Sequence, residues 1–163
     1  VVGLPGDRVR YADKELFING EKVPTNLVEV KLDDELPAGH PMQSLAEIAR
    51  DYAALMAAGE SLAAAEKYWA SDIVAFEPAT SGSGDPYTAN GKPAALARLT
   101  RWLAANAMSE LLIDGPFITG DQFALFIDME ITRRATGKRE PFSEIATYTV
   151  REGQIVEERF FYE

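Results

Sequence analysis

The sequence predicts an α+β domain in which helices come first and an antiparallel sheet follows. Three observations carry that prediction. From Phe123 to Ile131 the residues alternate: Phe123, Leu125, Ile127, Met129 and Ile131 face one way, and Asp128 and Glu130 the other. A period of two marks a half-buried strand. Two more alternating runs, Phe142 to Val150 and Ile155 to Tyr162, follow turns at residues 135–138 and at Glu152-Gly153. Together they form a three-stranded meander with one apolar face. Upstream, three stretches carry apolar residues at helical spacing, and helices followed by strands imply helices packed on one sheet face.

The first helix starts near Gln43 or Ser44, where Ser44 and Glu47 have the spacing of a capping box. Leu45, Ile48, Ala49, Tyr52, Ala53, Leu55 and Met56 then recur on one face until Gly59 ends the helix. A second helix spans Ser61 to Trp69, with Leu62, Ala65, Tyr68 and Trp69 as its expected buried stripe. Ile73 to Phe76 reads as a short strand ending at Glu77-Pro78, and the Gly/Ser/Asp/Pro-rich stretch Thr80 to Asn90 as a mobile loop or lid. Pro93 opens a third helix that runs to Asn106, with Leu96, Leu99, Trp102 and Leu103 on one side. Met108 to Ile113 and Phe117-Ile118 make the next strand, bent at Gly115-Pro116.

Residues 1–30 differ in kind. Arg8 to Tyr11, Glu15 to Ile18 and Glu21 to Val23 are short strand candidates, and Asn19-Gly20 is a strong hairpin signal. A β unit this small needs something larger to dock on. Residues 31–42, rich in Asp, Glu, Pro and Gly, read as a linker to a main domain over 43–163. The run Val1-Val2-Gly3-Leu4-Pro5-Gly6-Asp7-Arg8-Val9, followed by Leu16 to Gly20, resembles one stretch of bacterial type I signal peptidases. The serine and lysine that this resemblance makes catalytic fall before Val1, and the family's later Gly-Asp-Asn-rich box is missing. The segment is therefore expected to be a joined fragment without protease chemistry.

Composition narrows the function. The net charge of -10 argues against nucleic acid, whose phosphates need a basic surface, and disfavours anionic membranes. With no cysteine, disulfides and thiolate metal sites are excluded, and the single histidine, His40, cannot form a metal cluster alone. No metal and no cofactor are expected. No stretch reaches the ~20 apolar residues that span a bilayer, and no signal peptide is visible, so a soluble, cytoplasmic protein is expected.

Tyr52-Ala53-Ala54-Leu55 leading to Gly59, Trp69 to Val74, and Phe76-Glu77-Pro78 resemble the nuclear-transport-factor-two-like superfamily. Asn90-Gly91-Lys92-Pro93-Ala94 and the ending from Tyr148 to Tyr162 resemble its SnoaL-like branch. The resemblance covers about Ser44 to Tyr162. It implies a cone with a deep apolar pocket, often a homodimer, in a superfamily of ketosteroid isomerases, polyketide cyclases, dehydratases and epoxide hydrolases alongside proteins that only bind or scaffold. Fold alone does not choose among these.

Alternation supplies the first candidate residue. Phe142, Glu144, Ala146, Tyr148 and Val150 share the more apolar face of their strand; Val156, Glu158, Phe160 and Tyr162 share a face of the last one. Pairing across residues 151–153 would set Glu144 near Phe160 with Glu158 diagonal to it. Burial would raise the pKa of such a carboxyl and suit it to donate a proton; the competing reading leaves Glu144 solvated at the rim. Glu77 precedes Pro78, and the resemblance to ketosteroid isomerases makes it the general base, in place of their usual aspartate; otherwise it caps backbone amides. The same resemblance makes Tyr52 an oxyanion donor and Glu144 the protonated acid, the plain alternative for Tyr52 being a core tyrosine. Trp69, Tyr148, Glu158, Phe160 and Tyr162 are expected to line the pocket. SnoaL-like relatives often carry histidines after the third helix, where this chain has Asn106-Ala107-Met108-Ser109; a histidine-assisted mechanism is therefore in doubt. Arg133 and Glu140 are expected to pair on the surface. Two functions remain open: an isomerase- or cyclase-type enzyme acting on a small apolar carbonyl compound, or a non-catalytic ligand-binding or dimeric scaffold.

Overall fold

The computed structural model describes residues 8–12, 15–22, 43–78 and 87–162. The whole linker over 31–42, with His40 in it, and residues 80–86 of the expected lid lie outside them. Near the N-terminus, β1 (Val9–Ala12), β2 (Glu15–Ile18) and β3 (Glu21–Lys22) form a small antiparallel sheet. Asn19 and Gly20 both have positive φ at its hairpin turn, as an Asn-Gly hairpin requires.

The main domain begins with α1 (Leu45–Ala57), where the capping box forms. Ser44 Oγ accepts from the Glu47 amide, and the Ser44 amide donates to Glu47 at 2.7 Å. Helix α2 (Ser61–Tyr68) is one residue shorter than expected, because Trp69 turns extended and opens β4 (Trp69–Phe76). The expected stripe of α2 is also corrected. Leu62 is 40% exposed, and Ser61, Ala64, Ala65 and Tyr68 are the buried residues. Small alanines let α2 pack closely, which leaves Leu62 on the outer side.

After β5 (Thr88–Asn90), a strand within the stretch read as loop, come α3 (Lys92–Ala105) and four long strands. These are β6 (Asn106–Thr119), β7 (Gln122–Arg133), β8 (Arg139–Arg151) and β9 (Gln154–Phe161). The sheet is strongly curved, in the order β5-β4-β9-β8-β7-β6, and antiparallel except where β4 runs parallel to β9. Two register irregularities bend β6 against β7. At the second, Gly115 has φ 116°, and a Cβ there would stand 2.9 Å from the Ala124 carbonyl oxygen, so only glycine lets the strands approach so closely.

All five residues of the apolar face of β7 are buried. Helix α1 packs over β6 and β7, and α3 over β4 and β5, so the helices cover the concave side. The β8–β9 register differs from the expected one. Ala146, not Glu144, pairs with Phe160, and Glu158 pairs directly with Tyr148. The cause is local: the turn needs only Glu152 and Gly153, and a bulge between Thr149 and Val150 shifts the ladder beyond it. Arg133 and Glu140 do meet, at 2.8 Å, although the register partner of Glu140 is Ile131.

Candidate functional site

Between the helices and the concave sheet lies a cavity of about 540 Å³. Its wall is mostly apolar, with Leu99 and Trp102 from α3, Ile127 and Met129 from β7, and Phe142 and Phe160 from β8 and β9. A volume in this range suits a small organic ligand. The residues singled out in the sequence come from four elements and from just past the ends of two of them: Tyr52, Trp69, Glu77, Glu144, Tyr148, Glu158, Phe160 and Tyr162 all line this space.

At one side the polar groups are embedded in aromatics. Tyr52 lies in the buried stripe of α1, its ring 4.9 Å from Tyr148 and 5.9 Å from Phe123, while Phe123 and Tyr148 stack at 4.7 Å. Trp69, placed by the start of β4, donates its indole N–H to the Tyr52 oxygen at 3.3 Å. Burial, then the negative charge of Glu158, pushes the Tyr52 phenol well up; hydrogen bonds from Trp69 and Tyr148 act the other way. Tyr148 is also pushed up, first by burial and then by Tyr52 and the two glutamates.

Glu144 and Glu158 stand beside these rings. Burial raises the Glu144 carboxyl to about 8, helped by the charge of Glu77. Glu158, only 3% exposed, also reaches about 8 through burial; Arg98 opposes the shift, and Glu77 and Glu144 add to it. Both carboxyls therefore hold their protons at neutral pH and can donate hydrogen bonds. The structure places Glu144 on the cavity wall rather than in solvent at the rim.

Another part of the wall is ionic. Glu77, just past the end of β4, accepts from the Tyr162 hydroxyl at 2.7 Å, and its other oxygen lies 3.6 Å from Nε of Arg98. Sequence reasoning treated Tyr162 as a lining aromatic and passed over Arg98 altogether. A signal for Arg98 was present. It follows Ala95 by three residues and precedes Trp102 by four, which puts a guanidinium on the inward face of α3. Asn106, the cap of α3, is buried at the edge of the cavity, where it donates to the Trp102 carbonyl and accepts from Arg133. Among the described residues no cluster of His, Asp or Glu side chains could hold a metal ion, and no helix is long and apolar enough to cross a membrane.

The model of the SnoaL-like domain matches residues 43–162, the whole of the segment that builds this cavity. The chain belongs to the SnoaL-like domain family. A candidate SnoaL-like polyketide cyclase from Mesorhizobium loti is 38% identical, with 74% of this chain and 100% of that one covered and a TM-score of 0.68. Two more distant structures share the SnoaL-like fold. They are a candidate isomerase from Bacillus subtilis, at 18% identity, 74% and 90% coverage and a TM-score of 0.58, and an NTF2-like protein of unknown function from Burkholderia pseudomallei, at 16% identity, 75% and 92% coverage and a TM-score of 0.62. No curated protein matches the chain. A second family, signal peptidase S26, matches residues 1–69; of these, 45–57 and 61–68 are the first two helices of the SnoaL-like domain.

Proposed function

We propose that the SnoaL-like cavity is an active site for proton transfer on a small, largely apolar carbonyl compound, in the manner of an isomerase or cyclase. One observation carries this reading: Tyr52, Glu77 and Glu144, from three separate parts of the chain, line one cavity. Glu77, as carboxylate, removes a proton from the carbon next to the carbonyl. The electron pair moves to the carbonyl oxygen, which receives hydrogen bonds from Tyr52 and from protonated Glu144. Where a double bond lies β,γ to the carbonyl, the resulting dienolate takes the proton back from Glu77 at the γ-carbon, which is isomerisation; where a second carbonyl lies within reach, the enolate carbon attacks it and the new alkoxide takes the proton from Glu77, which is cyclisation. Tyr162 and Arg98 orient the Glu77 carboxylate.

A second reading keeps the pocket and drops the chemistry. It is favoured by those same contacts, since Tyr162 and Arg98 take up both oxygens of the proposed base. A ligand-binding protein, as monomer or homodimer, is then the result. Exchange of the α-hydrogens of 2-tetralone in D2O, followed by proton NMR, separates the two. Wild type is expected to catalyse exchange, and Glu77→Gln to lose about 10²–10⁴-fold of the rate. Equal rates in the two proteins would remove Glu77 as the base. Binding of the ketone with no exchange in wild type would favour the second reading.

A further inference from the structure

Arg98 has more hydrogen-bonding capacity than its surroundings use. It is 8% exposed and lines the cavity, and its Nε lies 3.6 Å from Glu77, too long for a hydrogen bond. Its Nη1 and Nη2 are both buried without a hydrogen-bond partner. A buried guanidinium left in this state is costly, because it has lost water and gained little in return. If Arg98 served only to neutralise Glu77, the two-pronged Nη face would be the part expected to meet the carboxylate. Instead that face is left over.

The rest of the wall shows what could fill it. Three arginines line the cavity, Arg98, Arg101 and Arg133, together with three glutamates, Glu77, Glu144 and Glu158. Two of those glutamates hold their protons at neutral pH. Of the three arginines Arg98 is the buried one; Arg101 is exposed and Arg133 is engaged by Glu140. Beyond the charged groups the wall is apolar, with Leu99, Trp102, Met129 and Phe142 among its members.

We infer that the ligand of this cavity carries a carboxylate as well as a carbonyl, and that the Nη pair of Arg98 receives it in a two-pronged pair. This deepens the proposed function by naming the substrate class, an apolar oxo acid, and rests on that reading for the carbonyl alone. The planar fork of arginine matches a carboxylate in shape and charge. Both Nη atoms lie beneath the cavity wall, so seating the acid requires the guanidinium to turn outward. The long contact with Glu77 holds it only loosely against such a turn.

The test is binding to the full chain, measured by calorimetry and thermal shift. Three probes are compared: 4-oxo-4-phenylbutanoate, its primary amide, and butyrophenone, which lacks the acid group. The acid is expected to bind at least about tenfold more tightly than the amide, the return of one charged hydrogen-bonded pair. Arg98→Lys, which keeps the charge and loses the fork, is expected to weaken the acid by about tenfold while leaving the amide unchanged. Equal binding of acid and amide, binding of none of the three, or an equal effect of Arg98→Lys on acid and amide would overturn the inference. If Arg98→Lys does not fold, the wild-type ratio of acid to amide decides alone. No turnover is read, so a failure of Glu77 as base leaves this result standing. Equal binding of acid and amide likewise leaves the role of Glu77 intact.

Discussion

The two sides of the cavity solve the same problem in opposite ways. Around Tyr52 and Tyr148, carboxyls are kept neutral by burial among aromatic rings. Around Glu77, a carboxylate is kept charged by a cation and a hydroxyl. The difference teaches that a carboxyl's role here follows from its neighbours rather than from its type. Three glutamates line one space: Arg98 and Tyr162 hold Glu77, while burial dominates at Glu144 and Glu158.

The largest expected effect bears on the neutral side and is one of stability against pH. Glu144 and Glu158 are raised from an ordinary value of 4.5 to about 8 in the folded protein. Between those limits the folded state holds protons that the unfolded chain has released. Stability is therefore highest near the lower limit, falls as pH rises towards about 8, and levels off above it. Each group contributes a slope of about 1.4 kcal/mol per pH unit across that window. Below it the direction reverses: Lys67 beside Asp51, and Lys138 beside Glu140, lower those carboxyls, and their contribution is lost on acidification. Urea unfolding from pH 4.5 to 9 is expected to show the fall in wild type and a shallower one in Glu158→Gln, which should exceed wild type in stability at pH 8.5. Parallel profiles would mean that Glu158 is charged in the folded state.

A smaller effect separates the two sides by activity. Tyr52→Phe removes the donor and keeps the ring, and the α-hydrogen exchange of 2-tetralone is expected to slow by about 10²-fold. Stability should fall by about 1–3 kcal/mol in the same variant, since the buried Trp69 N–H loses its acceptor. Full activity in that variant would return Tyr52 to the role of a core residue.

The smallest effect is a control remote from both sides. Ser44→Ala removes half of the capping box at the start of α1, which should cost about 1 kcal/mol in urea unfolding. Exchange activity should stay unchanged. A large loss of activity would mean that the position of α1, and with it Tyr52, depends on its cap.

Much of the architecture was legible because its signals are local. The alternation of Phe123 to Ile131, the Ser44–Glu47 box and the Pro93 helix start each act within a few residues, and each is found where the pattern put it. The inward face of β8 was legible for the same reason: alternation put Glu144 and Tyr148 together, and both meet the cavity. What was not legible depends on groups far apart in the chain. The two-residue turn and the bulge at Thr149/Val150 moved Glu158 from the expected diagonal of Glu144 to a place directly opposite Tyr148, because each residue of offset changes every pairing beyond it. The parallel union of β4 with β9 brings Glu77 beside a strand some eighty residues later, and no local pattern encodes that distance.

The sequence by itself determined the α+β class, the helix starts, the meander and its apolar face, since periodicity and caps are properties of neighbouring residues. Only the tertiary structure decided which glutamates are neutral and which is ion-paired, because a pKa depends on burial and on charges brought from other elements. It also decided that Arg98, unremarkable in a helix of mixed residues, ends with its guanidinium under the wall of a cavity and two donors still unused.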